Sequence, residues 1–185
     1  VEDKNKHLLK IVQNIPGTGV VYVRNRLKTK EIAVMLQKSG VAADFYHAGL
    51  STEVRNMKQD AWQNDRIRVI VSTNAFGMGI DKPEVRFVVH MDLPDSPEAY
   101  FQEAGRGGRD GKLAYAILLY NDSDRVKIEK RIASTFPEVT EIKRCYQALC
   151  SFLGVPLGAG KGEVYDFNIM DFASAFKLNY VQAYN

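Results

Sequence analysis

Apolar residues recur at helical spacing over positions 3 to 14, where Leu8, Leu9, Ile11, Val12 and Ile15 make one stripe, and PGTG at 16 to 19 ends it. The period then changes. VVYV at 20 to 23 is an unbroken, β-branched run, the pattern of a buried strand. A helical stripe returns over about 27 to 39, with Leu27, Ile32, Met35 and Leu36 expected inward and Gly40 at its end. AADFYH at 42 to 47 reads as a second strand. STEVRNMKQDAWQND reads as a helix capped by Ser51, with Val54, Met57, Ala61 and Trp62 as its core stripe. RVIVS at 68 to 72, RFVVHM at 86 to 91 and AYAILLY at 114 to 120 supply three more strands. A helix opens near Ser96 and Pro97, where proline suits the first helical position, and runs into a glycine-rich stretch. Strands alternating with helices predict an α/β fold, a parallel sheet flanked by helices.

After Asn121 the strand pattern stops, and helices are expected at about 122 to 135 and 138 to 153. This places a boundary near 121 to 137 and divides the chain into an α/β domain, 1–121, and a small, mainly helical subdomain, 122–185. Composition agrees with a folded protein: of 185 residues, 45% are hydrophobic and 25% charged. A net charge of +3 permits nucleic-acid binding without demonstrating it. No apolar run reaches membrane-span length, and the polar start VEDKNKHLLK is unlike a signal peptide. Two cysteines, Cys145 and Cys150, make no disulfide framework, so a reducing, intracellular compartment is expected. A first residue Val1 points to a piece of a longer chain.

In open α/β sheets ligands gather beyond the carboxyl ends of the strands. Arg24 to Arg26 follow the first strand, His47 the second, and STNAFGMGID at 72 to 81 the third. DLPDS and the helix leading to Arg106 and Arg109 follow the fourth. Arginine forks and hydroxyls on one rim suit phosphate chemistry better than acid–base chemistry on a small substrate. The stretch YFQEAGRGGRDG holds two arginines three residues apart among four glycines. If helical, Arg106 and Arg109 share a face and suit a triphosphate. The plainer alternative pairs them with Glu103 and Asp110.

STNAFGMGIDKPEVRFVVH followed by YFQEAGRGGRDG resembles motifs V and VI of superfamily 2 helicases, specifically RecQ-type DNA helicases, and VVYVRNR and FYHAGL are similar to the surroundings of motif IV. The resemblance covers about residues 18 to 121. It implies the second RecA-like domain of an ATP-driven, 3′-to-5′ DNA-unwinding motor, acting on DNA against a first RecA-like domain of the same chain, in the bacterial cytoplasm or nucleoid, or in a nucleus. It further implies ATP and Mg²⁺, with Arg106 and Arg109 as catalytic arginines and Arg109 the first choice of finger. Gln102, Asp81 and Gly79 would lie on the nucleotide side. Arg26, Asn25, His47, Ser72, Thr73 and Asn74 would lie on the nucleic-acid side, with His47 either there or structural. Motif VI here has Gly107 where alanine is usual.

RecQ chains normally continue into a four-cysteine zinc module. Cys145 and Cys150, with three distant histidines, do not supply four ligands, so no zinc is expected and 122–185 is read as a zinc-less replacement leading toward a winged-helix-like module. GAGKGE at 158 to 163 lacks the hydroxyl after lysine and a preceding strand, and reads as a turn rather than a P-loop. His90 reads as a core histidine. With no Walker A lysine and no acidic Mg²⁺ motif, the chain alone is expected neither to hydrolyse ATP nor to unwind DNA. Two alternatives stand beside this reading: the second domain of a DEAD-box-type RNA helicase, against which Gln102-Glu103 stands where those proteins usually carry His-Arg, and a non-catalytic nucleic-acid or protein binding module.

Overall fold

The computed structural model describes residues 3–77 and 80–184, with the side chains of 134, 181 and 182 excepted. Two compact units divide the chain, residues 1–124 and 125–185. The first contains α1 (Lys4–Asn14), β1 (Thr18–Tyr22), α2 (Arg26–Lys38), β2 (Ala43–Tyr46), α3 (Thr52–Gln63), β3 (Val69–Ser72), β4 (Val85–His90), α4 (Pro97–Ala104) and β5 (Tyr115–Leu118). The strands form one sheet in the order β2-β3-β1-β4-β5, and every neighbouring pair is parallel.

Alternation along each strand assigns side chains to two faces. Val21, Val69, Val71, Phe87 and Val89 meet Leu8 and Val12 of α1 and Ile32, Ala33 and Leu36 of α2. Val20, Tyr22, Ile70, Val85 and Val88 meet Trp62 of α3 and Phe76 and Ile80 of the segment after β3. Each such large apolar side chain, taken out of water, contributes roughly 1.5–3 kcal/mol. All five residues of β1, the central strand, are buried.

Caps start the helices. Asn25 accepts from the Leu27 N–H at 2.8 Å, Ser51 accepts from Val54 N–H, and Ser96 accepts from Ala99 N–H with Pro97 following it. Two expected core residues lie outside. Leu27 is 74% exposed, because the inward face of α2 is Thr29, Ile32, Ala33 and Leu36 and Leu27 stands off that stripe. Met57 is 68% exposed, and α3 buries Trp62 alone. No helix among the described residues is long and apolar enough to cross a membrane.

α5 (Asp122–Thr135) begins at the boundary between the units, and α6 (Val139–Leu153), α7 (Ile169–Ala175) and α8 (Tyr180–Tyr184) follow. Gly154 ends α6 in the left-handed conformation with φ of 66°. In this unit Phe152, Phe167, Phe172 and Phe176 pack ring against ring around the fully buried Phe172.

Candidate nucleotide-facing site and strand-end rim

α4 stops at Ala104, and a series of turns carries the chain from Gly105 to β5. Arg106 and Arg109 therefore lie beyond the helix, and the condition for a shared helical face is not met. The turn is held by backbone: Gly108 N–H donates to Val85 O at 2.9 Å. Gly108 has φ of 68°, and a Cβ there would come within 2.8 Å of Lys112 O, so glycine is required by the turn itself.

Each arginine has its own seat. Arg106 Nη1 donates to the Gly77 carbonyl at 2.7 Å, and its Nε is buried without a partner among the described residues. The guanidinium lies so close over Gly77 that a Cβ on that residue would be 2.0 Å from Nη2. Arg109 donates from Nη1 to Asp81 Oδ1 at 2.8 Å and from Nε to Gly105 O at 3.3 Å. The Arg109 and Asp81 side chains are 40% and 73% exposed, so their pair is solvated and easily exchanged for another anion.

The alternative partners are engaged elsewhere. Glu103 Oε2 meets His90 Nε2 at 2.9 Å. Asp110 accepts from Arg86 Nη2 at 2.6 Å, and that guanidinium holds the Asp110 carboxyl below the ordinary carboxylate range. Arg106, Arg109, Gln102 and Asp81, with Gly77, Ile80, Phe101 and Gly105, surround an open hollow of about 580 Å³. Gly79, expected on the same side, lies outside the described residues. Two cations, one partly freed to solvent and one anchored to backbone, can receive oxyanions here, with Asp81 as the carboxylate to be displaced.

Tyr22 lies behind this hollow and does not line it. Its hydroxyl donates to Phe76 O at 2.9 Å, next to the Gly77 carbonyl that holds Arg106. Burial pushes its phenol well above the ordinary range, with the Arg106 charge pulling the other way. Nothing in a VVYV run distinguishes such a tyrosine from an ordinary core residue. Gly77 was equally hidden, since only the folded chain shows what lies above it.

The residues expected on the nucleic-acid side gather at the carboxyl ends of β1, β2 and β3, as a second group. Arg26 and Asn25 are exposed at the start of α2, and Asn25 also caps it. His47 stacks on Phe45 with centroids 5.8 Å apart. Burial first, then Arg26 and Lys58, push the His47 imidazole below its ordinary pKa, which favours the neutral ring. Asn74 is exposed and Thr73 nearly buried. Ser72 is a correction: it is 0% exposed, and its hydroxyl lies between Tyr46 O at 2.9 Å and Thr73 O at 2.7 Å. It ties β3 to β2 and offers no hydroxyl to a phosphate. Arg24, in the same rim, pairs with Asp95 and donates from Nη1 to Leu93 O at 3.0 Å. A cleft of about 100 Å³ opens between Arg24, Thr73, Asn74 and Asp92, with Tyr22, His90 and Glu103 in its wall.

Among the described residues no group of three or more His, Cys, Asp or Glu could hold a metal ion. Cys145 and Cys150 are free thiols, and burial raises the Cys145 pKa, which disfavours the thiolate a metal would need.

Residues 3–111 match the family model described as helicase conserved C-terminal domain. Among curated proteins, the chain is 50% identical over 113 residues to the ATP-dependent DNA helicase RecQ of Pasteurella multocida, covering 61% of this chain and 18% of that one. It is 45% identical over 124 residues to the RecQ-like DNA helicase blm-1 of Caenorhabditis elegans, covering 66% and 13%. It is 43% identical over 123 residues to the probable ATP-dependent DNA helicase RecS of Bacillus subtilis, covering 66% and 25%. The chain thus spans a quarter or less of the length of each of these relatives. Among solved structures, a DEAD box protein from Methanococcus jannaschii aligns with a TM-score of 0.62 at 28% identity, over 72% of this chain and 37% of that one. The E. coli DEAD-box protein SrmB, bound to regulator of ribonuclease activity A, aligns with a TM-score of 0.62 at 28% identity, over 68% and 74%. The sheet and helices described above are therefore the fold of RecA-like helicase C-terminal domains.

Proposed function

From the premise that the chain belongs to the helicase conserved C-terminal domain family, with RecQ-type DNA helicases as relatives, we propose that it is the second motor domain of an ATP-dependent 3′-to-5′ DNA helicase. The observation that carries this reading is the pair of separately seated arginines, Arg106 and Arg109, beside an open hollow. In a longer polypeptide the hollow faces a first RecA-like domain that supplies the P-loop and the Mg²⁺ ligands. ATP and Mg²⁺ bring the phosphoanhydride and its charge neutralisation. Arg109 exchanges the Asp81 carboxylate for phosphate oxygens. Arg106, held on the Gly77 carbonyl, presents its remaining N–H groups from a fixed position, and Gln102 borders the same space.

The strand-end rim is the second grip. Arg26, Asn25, His47, Thr73 and Asn74 face a single DNA strand there, and the two sites alternate as the cleft between motor domains closes and opens. Such a protein works where DNA is, in a nucleoid or a nucleus. The identity to DNA helicases, 43% to 50%, against 28% to the DEAD-box structures, favours DNA over RNA as substrate.

Two measurements test this. The 185-residue chain alone is expected to show no ATPase above background, and appreciable turnover would contradict the division of labour. In the longer helicase, Arg109→Ala is expected to lower DNA-stimulated ATPase by about 10³-fold or more, as arginine fingers do elsewhere. Single-strand affinity should stay within about twofold of wild type, since Arg109 lies in the hollow and not on the rim. Parallel loss of both would move Arg109 to a DNA or folding role. Strand separation of an RNA duplex in preference to DNA would favour the DEAD-box reading. Absence of a P-loop from the upstream sequence would favour a binding module.

A further inference from the structure

α4 carries Gln102 and leads directly to Arg106, yet none of its side chains is buried. Hydrophobic burial therefore does little to fix where it lies. Its shortest tie to the sheet is polar. Glu103 Oε2 sits 2.9 Å from Nε2 of His90, the last residue of β4, and His90 is 1% exposed. A carboxylate only accepts, so Nε2 carries a proton toward it, which leaves Nδ1 as the ring's other polar atom. That Nδ1 is buried and has no hydrogen-bond partner among the described residues. An apolar ring would fill the place without leaving a polar atom unmet, so packing alone does not account for a histidine here.

The His90 ring stacks on Tyr22 with centroids 5.3 Å apart and meets Tyr100 of α4 at 5.1 Å. Tyr22 donates to the Phe76 carbonyl, one residue before the carbonyl that holds Arg106. His90 thus reaches Arg106 twice, through Glu103 along α4 and through Tyr22 along the segment after β3. The same Tyr22, His90 and Glu103 form the wall of the cleft beside Thr73 and Asn74. They are shared between the two sites.

We propose that Tyr22, His90 and Glu103 are positioning residues that couple the strand-end cleft to the Arg106 guanidinium, so that a DNA strand lying at the cleft sets Arg106 for phosphoryl transfer. This rests on the reading of the chain as a helicase motor domain. The three residues touch neither phosphate nor base; they transmit the state of one site to the other.

The test uses the full-length helicase carrying Glu103→Ala, Glu103→Gln, His90→Phe or Tyr22→Phe, with steady-state ATPase measured with and without single-stranded DNA. Glu103→Ala and His90→Phe are expected to lower the DNA-stimulated kcat by about tenfold, a usual size for site-to-site coupling. The DNA-free rate, the KM for ATP and the single-strand affinity should each stay within about twofold. Glu103→Gln, whose amide oxygen still accepts from Nε2–H, should recover most of the stimulation. Equal falls in the DNA-free and stimulated rates, a loss of DNA affinity, or unchanged stimulation would each overturn the proposal. If Glu103→Ala or His90→Phe does not fold, Tyr22→Phe decides: a selective fall in the stimulated rate supports the coupling, and a wild-type ratio of the two rates overturns it. Wild-type protein with no DNA stimulation at all overturns the helicase reading itself, whereas intact wild-type stimulation that every folded variant keeps overturns only this inference.

Discussion

α2 and α4 flank opposite faces of one parallel sheet and are held by different forces. α2 turns Thr29, Ile32, Ala33 and Leu36 into the core. α4 fully buries no side chain and is located by the Ser96 cap, the Glu103 and Tyr100 contacts with His90 and the turn that follows. A helix fixed by burial is insensitive to what approaches its outer side. A helix fixed by a few directional contacts can be repositioned by a ligand for little energy, which suits the element that delivers Arg106. The same sheet thus offers a rigid side and an adjustable side.

That contrast can be broken most directly by truncation on each face. Leu36→Ala should cost about 2–5 kcal/mol of unfolding free energy, the usual range for a fully buried leucine. Phe101→Ala, on the exposed side of α4, should change stability by no more than about 0.5 kcal/mol. Chemical denaturation of the 185-residue chain reads both, and comparable losses would refute the difference between the faces. Next in size, Gly77→Ala should cost about 1–3 kcal/mol through overpacking, because the added methyl occupies the Arg106 seat. The same variant should lower ATPase in the longer helicase, and a silent variant would show that Arg106 does not need this seat.

The acid side of the stability profile sharpens the picture of the turn. Asp110 has its folded carboxyl held below the ordinary range by the Arg86 hydrogen bond. A depressed carboxyl stabilises the fold above the unfolded pKa of about 3.9, and that contribution fades as pH falls through the folded pKa. Asp110→Asn should therefore be less stable than wild type at pH 7, with the two converging on acidification toward pH 3. A constant gap across pH would assign the effect to shape and not to charge. A small effect is also expected of Asp81→Ala, which removes a solvated pair and should shift stability by about 1 kcal/mol or less.

Much of this was legible in the chain. Unbroken β-branched runs marked the buried strands, and helical stripes marked α1 and the inner face of α2. The motif order around Asp81 and Arg109 pointed to phosphate chemistry before any contact was known. What stayed hidden depended on three-dimensional neighbours. Leu27 and Met57 obey helical spacing loosely and fall off the stripes that the sheet selects. The glycine spacing carried no sign that Gly108 answers a turn and Gly77 a guanidinium. His90 looked like any histidine in an apolar strand, because its partner Glu103 is brought to it only when α4 crosses the sheet. Ser72 stood as a site hydroxyl through the motif resemblance alone, and a motif match does not say which way a strand's last side chain turns.

The strand order carries a consequence for how this chain is made. β1 is first in sequence and central in the sheet, and its two neighbours, β3 and β4, begin at Val69 and Val85. During synthesis the VVYV segment must wait for about fifty further residues before either neighbour exists, and parallel pairing across such separations is slow. Until then a strand whose five residues all end up buried has both edges open. Cellular yield should therefore depend on how quickly translation proceeds from β1 to β4, and on chaperones that cover the segment meanwhile, more than on the equilibrium stability of the finished domain.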